Sequence, residues 1–136
     1  MIREVISTSR APRTGLPYAQ AVRYGSLVFV SGQVAFDPQT GSPVGKDIRS
    51  QTRQVLANIE AILEEAGTSL AHGVDALCFL RNASDFEAFN EVYGTYFSED
   101  GPPRTTVQAA MPRDDLLVEV RLIAGLPDGE HQSARS

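Results

Sequence analysis

Two periods of apolar spacing run through this chain. One repeats every second residue and marks strands; the other repeats every three to four and marks helices. Residues 3–7, 20–24 and 27–33 read as strands, the last two joined through Gly25-Ser26 as a hairpin. Residues 47–66 read as a helix, with Ile48, Thr52, Val55, Ile59, Ile62 and Ala66 on one face. Asp47 suits its N-cap and Gly67 its left-handed stop. Residues 74–80 form the next strand. Residues 84–97 read as a second helix, with Ser84 and Glu87 spaced as a capping box. Phe86, Phe89, Tyr93 and Phe97 are its expected buried stripe. Residues 104–110 and 116–124 complete the pattern as strands, and Pro12, Gly15 and Pro17 punctuate a loop over 9–17.

The order βββαβαββ predicts an α+β fold: a mostly antiparallel sheet with two helices packed on one face. Residues 1–126 form a single domain. Residues 127–136 are polar and patternless and are expected to be a disordered tail. Several strands carry a mixed face. On the last strand Leu117, Glu119, Arg121 and Ile123 share one side, opposite Val118, Val120 and Leu122. On 27–33 the mixed face is Leu27, Phe29, Ser31 and Gln33, and on the fifth strand Arg104, Thr106 and Gln108 share a face. Faces that are partly apolar and partly polar suit a subunit interface, so a homo-oligomer is expected.

A chain of 136 residues, 42% hydrophobic, can bury a core without metals or disulfides. Its net charge of -5 argues against nucleic acid as the main partner. Cys78 is the only cysteine, so no intrachain disulfide forms; in its apolar strand it reads as an inert buried thiol. The first ten residues lack the apolar run of a signal peptide, and no stretch reaches the roughly 18 to 20 apolar residues of a membrane span. The expectation is a cytoplasmic protein.

The candidate chemistry lies in residues 102–119. Arg104 follows a double proline, and Glu119 sits inside an apolar run. Strand positions rarely carry a bare charge without a use for it. An arginine fork suits a small carboxylate, and a carboxylate can orient or deprotonate a water. The pairing suggests hydrolysis of a small organic acid. The competing reading is a structural ion pair between Arg104 and Glu119 across adjacent strands. Arg121, on the face of Glu119, reads as a structural charge that could pair with it.

Ser31-Gly32-Gln33, the Pro17-Tyr18 pair, the segment from Asn90 to Tyr93, and Pro103-Arg104 followed fifteen residues later by Glu119 resemble the RidA/YjgF family. These are the reactive-intermediate deaminases, also known as L-PSP endoribonuclease-like proteins. The resemblance spans roughly residues 4–125. It implies a chorismate mutase-like fold and a homotrimer with a central barrel and clefts between subunits. It implies hydrolysis of enamines or imines such as 2-aminoacrylate and 2-iminopropionate to a 2-oxo acid and ammonia. It implies no cofactor and no metal. By the same resemblance Arg104 grips the substrate carboxylate and Glu119 positions the water. Tyr18, Ser31, Asn90 and Thr106 line the cleft. Thr106 replaces a frequent cysteine, Leu16 a frequent glycine and Arg121 a frequent acidic residue. These departures bear on the substrate more than on the chemistry.

Three other functions stand beside this one. One is a specialised catabolic deaminase with an aminomuconate-like or aminoacrylate-like substrate. Another is a non-enzymatic trimer that binds 2-oxo acids. The third is a ribonuclease, against which the acidic balance and the missing pair of catalytic histidines argue. No membrane partner is expected.

Overall fold

The computed structural model describes residues 1–127; most of the expected tail therefore lies outside the described residues. The strands are β1 (Arg3–Ile6), β2 (Ala21–Tyr24), β3 (Leu27–Gln33), β4 (Gly73–Leu80), β5 (Arg104–Gln108) and β6 (Val118–Gly125). The helices are α1 (Ile48–Ala66), between β3 and β4, and α2 (Phe86–Tyr96), between β4 and β5. This is the expected α+β order. One six-stranded sheet runs β1-β2-β3-β6-β4-β5. Every pairing is antiparallel except β4 with β5, which are parallel. Parallel neighbours need a long crossover, and α2 supplies it.

Both helices lie against one face of the sheet. Val28, Val30, Ala76, Cys78, Leu80, Val118, Val120, Leu122 and Ala124 point to that side and are buried. They meet Val55, Leu56, Ile59, Ile62 and Leu63 of α1 and Phe89 and Tyr93 of α2. All six residues of the expected apolar face of α1 are buried. The Asp47 side chain accepts from the Ser50 N–H at 2.7 Å, and Gly67 closes the helix at φ 90°. The local sequence therefore sets both ends of this helix.

The second helix departs from expectation at its start. Residues 83–85 form a tight 3-10 turn, the N-cap is Asp85, and it makes no side-chain cap bond. The Ser84–Glu87 capping box does not form, because the turn moves the helix start past Ser84. Phe86 is also exposed, at 45%, rather than buried.

Among the described residues nothing covers the opposite face of the sheet. It carries Tyr24, Leu27, Phe29 and Val107, all substantially exposed. Arg121 there pairs with Asp75 at 3.7 Å, not with Glu119.

One irregularity shapes that face. Val30 pairs with Leu122, but Gln33 pairs with Val120, so β3 holds one extra residue. This β-bulge turns Gln33 to the helix side, where it is buried. The expected run Leu27, Phe29, Ser31, Gln33 therefore breaks after Ser31. A bulge shifts side-chain parity, and simple alternation cannot register that.

Candidate functional site

The strand order decides the geometry of the two candidate charges. β4 lies between β5 and β6, so Arg104 and Glu119 are not on adjacent strands. Arg104 pairs with Ala76, and Ala76 with Leu122, all in the row that faces the helices. Glu119 alternates with buried Val118 and Val120 and pairs with Phe79 on the uncovered side. The two charges thus point from opposite faces of the sheet. An ion pair between them within one chain is excluded, and so is a single-chain site containing both.

The first half-site surrounds Arg104. Residues 86, 89, 90 and 93 of α2 fall on one helical face. The Arg104 guanidinium carbon lies 4.7 Å from the ring centre of Tyr93, 5.4 Å from Phe89 and 5.7 Å from Phe86. Three aromatic faces stabilise a cation and shape its slot. Among the described residues no carboxylate pairs with Arg104. Three buried polar atoms, Asn90 Oδ1, Tyr93 Oη and Thr106 Oγ1, have no hydrogen-bond partner among the described residues. Buried polar atoms left open in this way need an explanation, and a bound polar ligand provides one. Cys78 neighbours Thr106 in the pairing register and is fully buried, and burial pushes its thiol up to about 11. It therefore stays protonated at neutral pH, as an inert thiol does. Burial likewise pushes the Tyr93 phenol up to about 12.

The second half-site surrounds Glu119. Its carboxylate faces a pocket of about 480 Å³ lined by Leu16, Tyr18, Ser31, Gly32, Phe36 and Leu116 among others. Burial raises its pKa above the ordinary 4.5, and among the described residues no cation pairs with it. Gly32 makes room for it. A Cβ at Gly32 would sit 2.1 Å from Glu119 Oε2 and 3.0 Å from Cδ. The Ser31-Gly32-Gln33 motif thus has a physical reason: a bulge, with a glycine where a carboxylate packs on the backbone.

The loops around this pocket are pinned by side-chain amides. Gln20 accepts from the Thr8 N–H at 2.7 Å and donates to the carbonyls of Thr8, Ala11 and Pro12. Buried Gln51 donates to the Asp115 carbonyl at 2.8 Å and accepts from the Leu117 N–H at 2.8 Å. Asn58 donates to the carbonyls of Val34 and Phe36. The Ser31 hydroxyl donates to the Ala19 carbonyl at 2.6 Å, so its proton is committed to holding the Tyr18 loop.

The structure therefore sorts the expected residues into two sets. Tyr18, Ser31 and Glu119 share one half-site; Asn90, Arg104 and Thr106 share the other. Sequence reasoning assigned Tyr93 to the core and gave no role to Gln51 or Arg113. The signal for Gln51 was present, since a glutamine beside the apolar face of a helix needs partners if buried. Nothing local distinguished Tyr93 from its stripe. Among the described residues no cluster of three or more His, Cys, Asp or Glu is placed to hold a metal. No helix there is long and apolar enough to cross a membrane.

Comparison with known proteins places this geometry in context. The family model described as Endoribonuclease L-PSP matches residues 8–126. A RutC family protein of Pyrococcus abyssi is 45% identical, over 91% of this chain and 98% of its own length. The chloroplastic Reactive Intermediate Deaminase A of Arabidopsis thaliana is 37% identical, over 91% of this chain and 66% of its own. The crystal structure of E. coli TdcF with bound serine superposes with a TM-score of 0.84 at 38% identity, covering 90% of this chain and 98% of that one.

Proposed function

This chain belongs to the RidA/YjgF family of endoribonuclease L-PSP-like proteins, and on that premise we propose that it is a hydrolytic deaminase of reactive 2-imino acids and their enamine tautomers. The observation that carries the reading is the pair of unpartnered charges on opposite sheet faces. Each is half of a site. A cyclic homo-oligomer, which the family resemblance makes a homotrimer, would bring Arg104 of one copy to Glu119 of the next. The uncovered sheet face, with its exposed Phe29, Leu27 and Val107, supports such an assembly.

In the completed site Arg104 grips the substrate carboxylate with two parallel hydrogen bonds and neutralises it. Asn90 and Thr106 have open polar atoms beside that position. Holding the carboxylate fixes the imine carbon next to the Glu119 pocket, which replaces a diffusive encounter with an oriented one. Glu119 accepts a proton from water as its oxygen bonds to the imine carbon, while the C=N electron pair moves to nitrogen and is protonated. Glu119 returns its proton to the amine of the resulting carbinolamine, and the C–N bond breaks as ammonia leaves. The hydroxyl gives its proton to solvent, in place of the one nitrogen took from solvent, so a 2-oxo acid remains. An enamine such as 2-aminoacrylate first takes a proton at its methylene carbon. The raised pKa of Glu119 suits this exchange, because a stronger base takes a proton from water more readily. TdcF is described with bound serine, an amino acid whose carboxylate is of the kind Arg104 would grip.

The test couples an amino-acid oxidase, which generates imines in place, to ammonia release and imine disappearance. Faster hydrolysis that Arg104→Ala lowers by about 2 to 5 kcal/mol in kcat/KM, roughly 30- to 5,000-fold, is expected. An Arg104→Ala enzyme with near-normal activity sinks the assignment. Binding of 2-oxo acids without turnover points to a non-enzymatic binding trimer instead.

A further inference from the structure

Resting on the deaminase reading, the question left open is which side chain the 2-imino acid carries. Carboxylate and side chain leave the same carbon. With the carboxylate on Arg104 and that carbon at Glu119, the side chain enters the pocket beside Glu119. In the single chain, before the next copy is seated against it, the pocket measures about 480 Å³, many times what a methyl group fills. Its walls are mainly apolar: Leu16, Val34, Phe36, Pro112 and Leu116, with the ring of Tyr18. A second pocket of about 310 Å³ shares Leu16, Tyr18, Val34 and Phe36 with it and lengthens the apolar tract.

The charges on this tract do not favour a second carboxylate. Arg113 reaches the pocket, but both its Nε and a terminal nitrogen bond the Asp115 carboxylate, at 3.1 and 2.8 Å. Its guanidinium also lies 5.6 Å from the Phe36 ring centre. That cation already has a carboxylate partner and stands against the ring, and with both charges half exposed water screens what remains. Arg13 borders only the neighbouring pocket and is exposed, where water screens it. Glu119 is left as the unpaired charge lining the larger pocket, and it repels an acidic substituent.

We propose that this pocket selects 2-imino acids with bulky apolar side chains, branched, thioether or aromatic, over the smallest ones and over those with a second carboxylate. Leu16 is the selecting side chain at the rim: it lines both pockets while remaining 59% exposed. The aminomuconate-like substrates, which carry two carboxylates, fit this tract poorly.

The experiment compares imines generated from leucine, methionine, phenylalanine, alanine and glutamate by oxidases of matching specificity. Leucine- and phenylalanine-derived imines are expected to be hydrolysed at least about tenfold faster than the alanine-derived one, with the glutamate-derived imine slowest. Leu16→Glu, at an exposed position that the fold tolerates, is expected to slow the leucine-derived imine about tenfold and the alanine-derived imine much less. An alanine-derived imine that reacts as fast as the bulky ones overturns the preference and leaves the deaminase reading standing. So does a Leu16→Glu effect equal on both. No acceleration with any imine overturns the deaminase reading, and this inference with it.

Discussion

The α2–β5 corner and the β3–β6 bulge each hold one unpaired charge, yet their surroundings differ in kind. Arg104 sits in a slot made by regular structure. Three rings from one helix face flank it, and the same two elements carry buried polar atoms without a partner among the described residues. Glu119 sits in a pocket made by irregular structure: a bulge, a glycine and three loops tied down by Gln20, Gln51 and Asn58. The cation is stabilised where it stands, by aromatic faces. The carboxylate is destabilised where it stands, by burial without a partner. Under the proposed mechanism, the charge that would bind substrate is the stabilised one, and the charge that would take a proton from water is the destabilised one. The loop-built side is also the one able to vary with substrate, since loops change without disturbing the core.

The proposed completion of the site by a second copy is the part of this comparison that experiment can break most sharply. Arg104→Ala and Glu119→Gln enzymes should each be near background. Dissociated together and reassembled, they form hybrid assemblies containing sites with Arg104 from one copy and Glu119 from the other. Activity should rise to about a quarter of the wild-type level at equal mixing. Activity that stays at background after verified subunit exchange would place both charges in one copy's site or remove one of them from catalysis.

A smaller effect separates the roles. Glu119→Gln alone should lower kcat roughly 100-fold while leaving binding of a 2-oxo acid within about threefold. Its Tm at pH 7 should equal or exceed that of the parent. The folded-state pKa of Glu119 is raised, so its ionised form costs stability as pH rises through the unfolded value, and an uncharged isostere removes that cost. For the same reason kcat of the parent should fall on the acid side with a midpoint above the ordinary 4.5. A variant with lost binding and a lowered Tm would mark Glu119 as structural.

The smallest effect tests the bulge. Gly32→Ala places a Cβ against the Glu119 carboxylate, the far end of a side chain that can swing away. Rate should fall about tenfold while stability changes by less than about 1 kcal/mol. Equal kinetics with a lowered Tm would show that Gly32 serves the backbone rather than the carboxylate.

Much of this protein is written in its local sequence. Helical spacing with Asp47 and Gly67 fixes α1 to within a residue, because caps and amphipathic periods act over a few residues. The eight elements and their order follow from the same short-range signals. Arg104 and Glu119 stand out in the sequence as charges on apolar strands. Their relation does not. Alternation tells which residues of one strand share a face, but two strands are related only through the long-range pairing of the sheet. The insertion of β4 between β5 and β6, and the extra residue in β3, set those relations. The registers of β4 with β5 and β6 placed Arg104 and Glu119 on opposite faces, and the extra residue in β3 turned Gln33 into the core. Both are properties of hydrogen-bonded register between segments far apart in the chain, where no local period reaches.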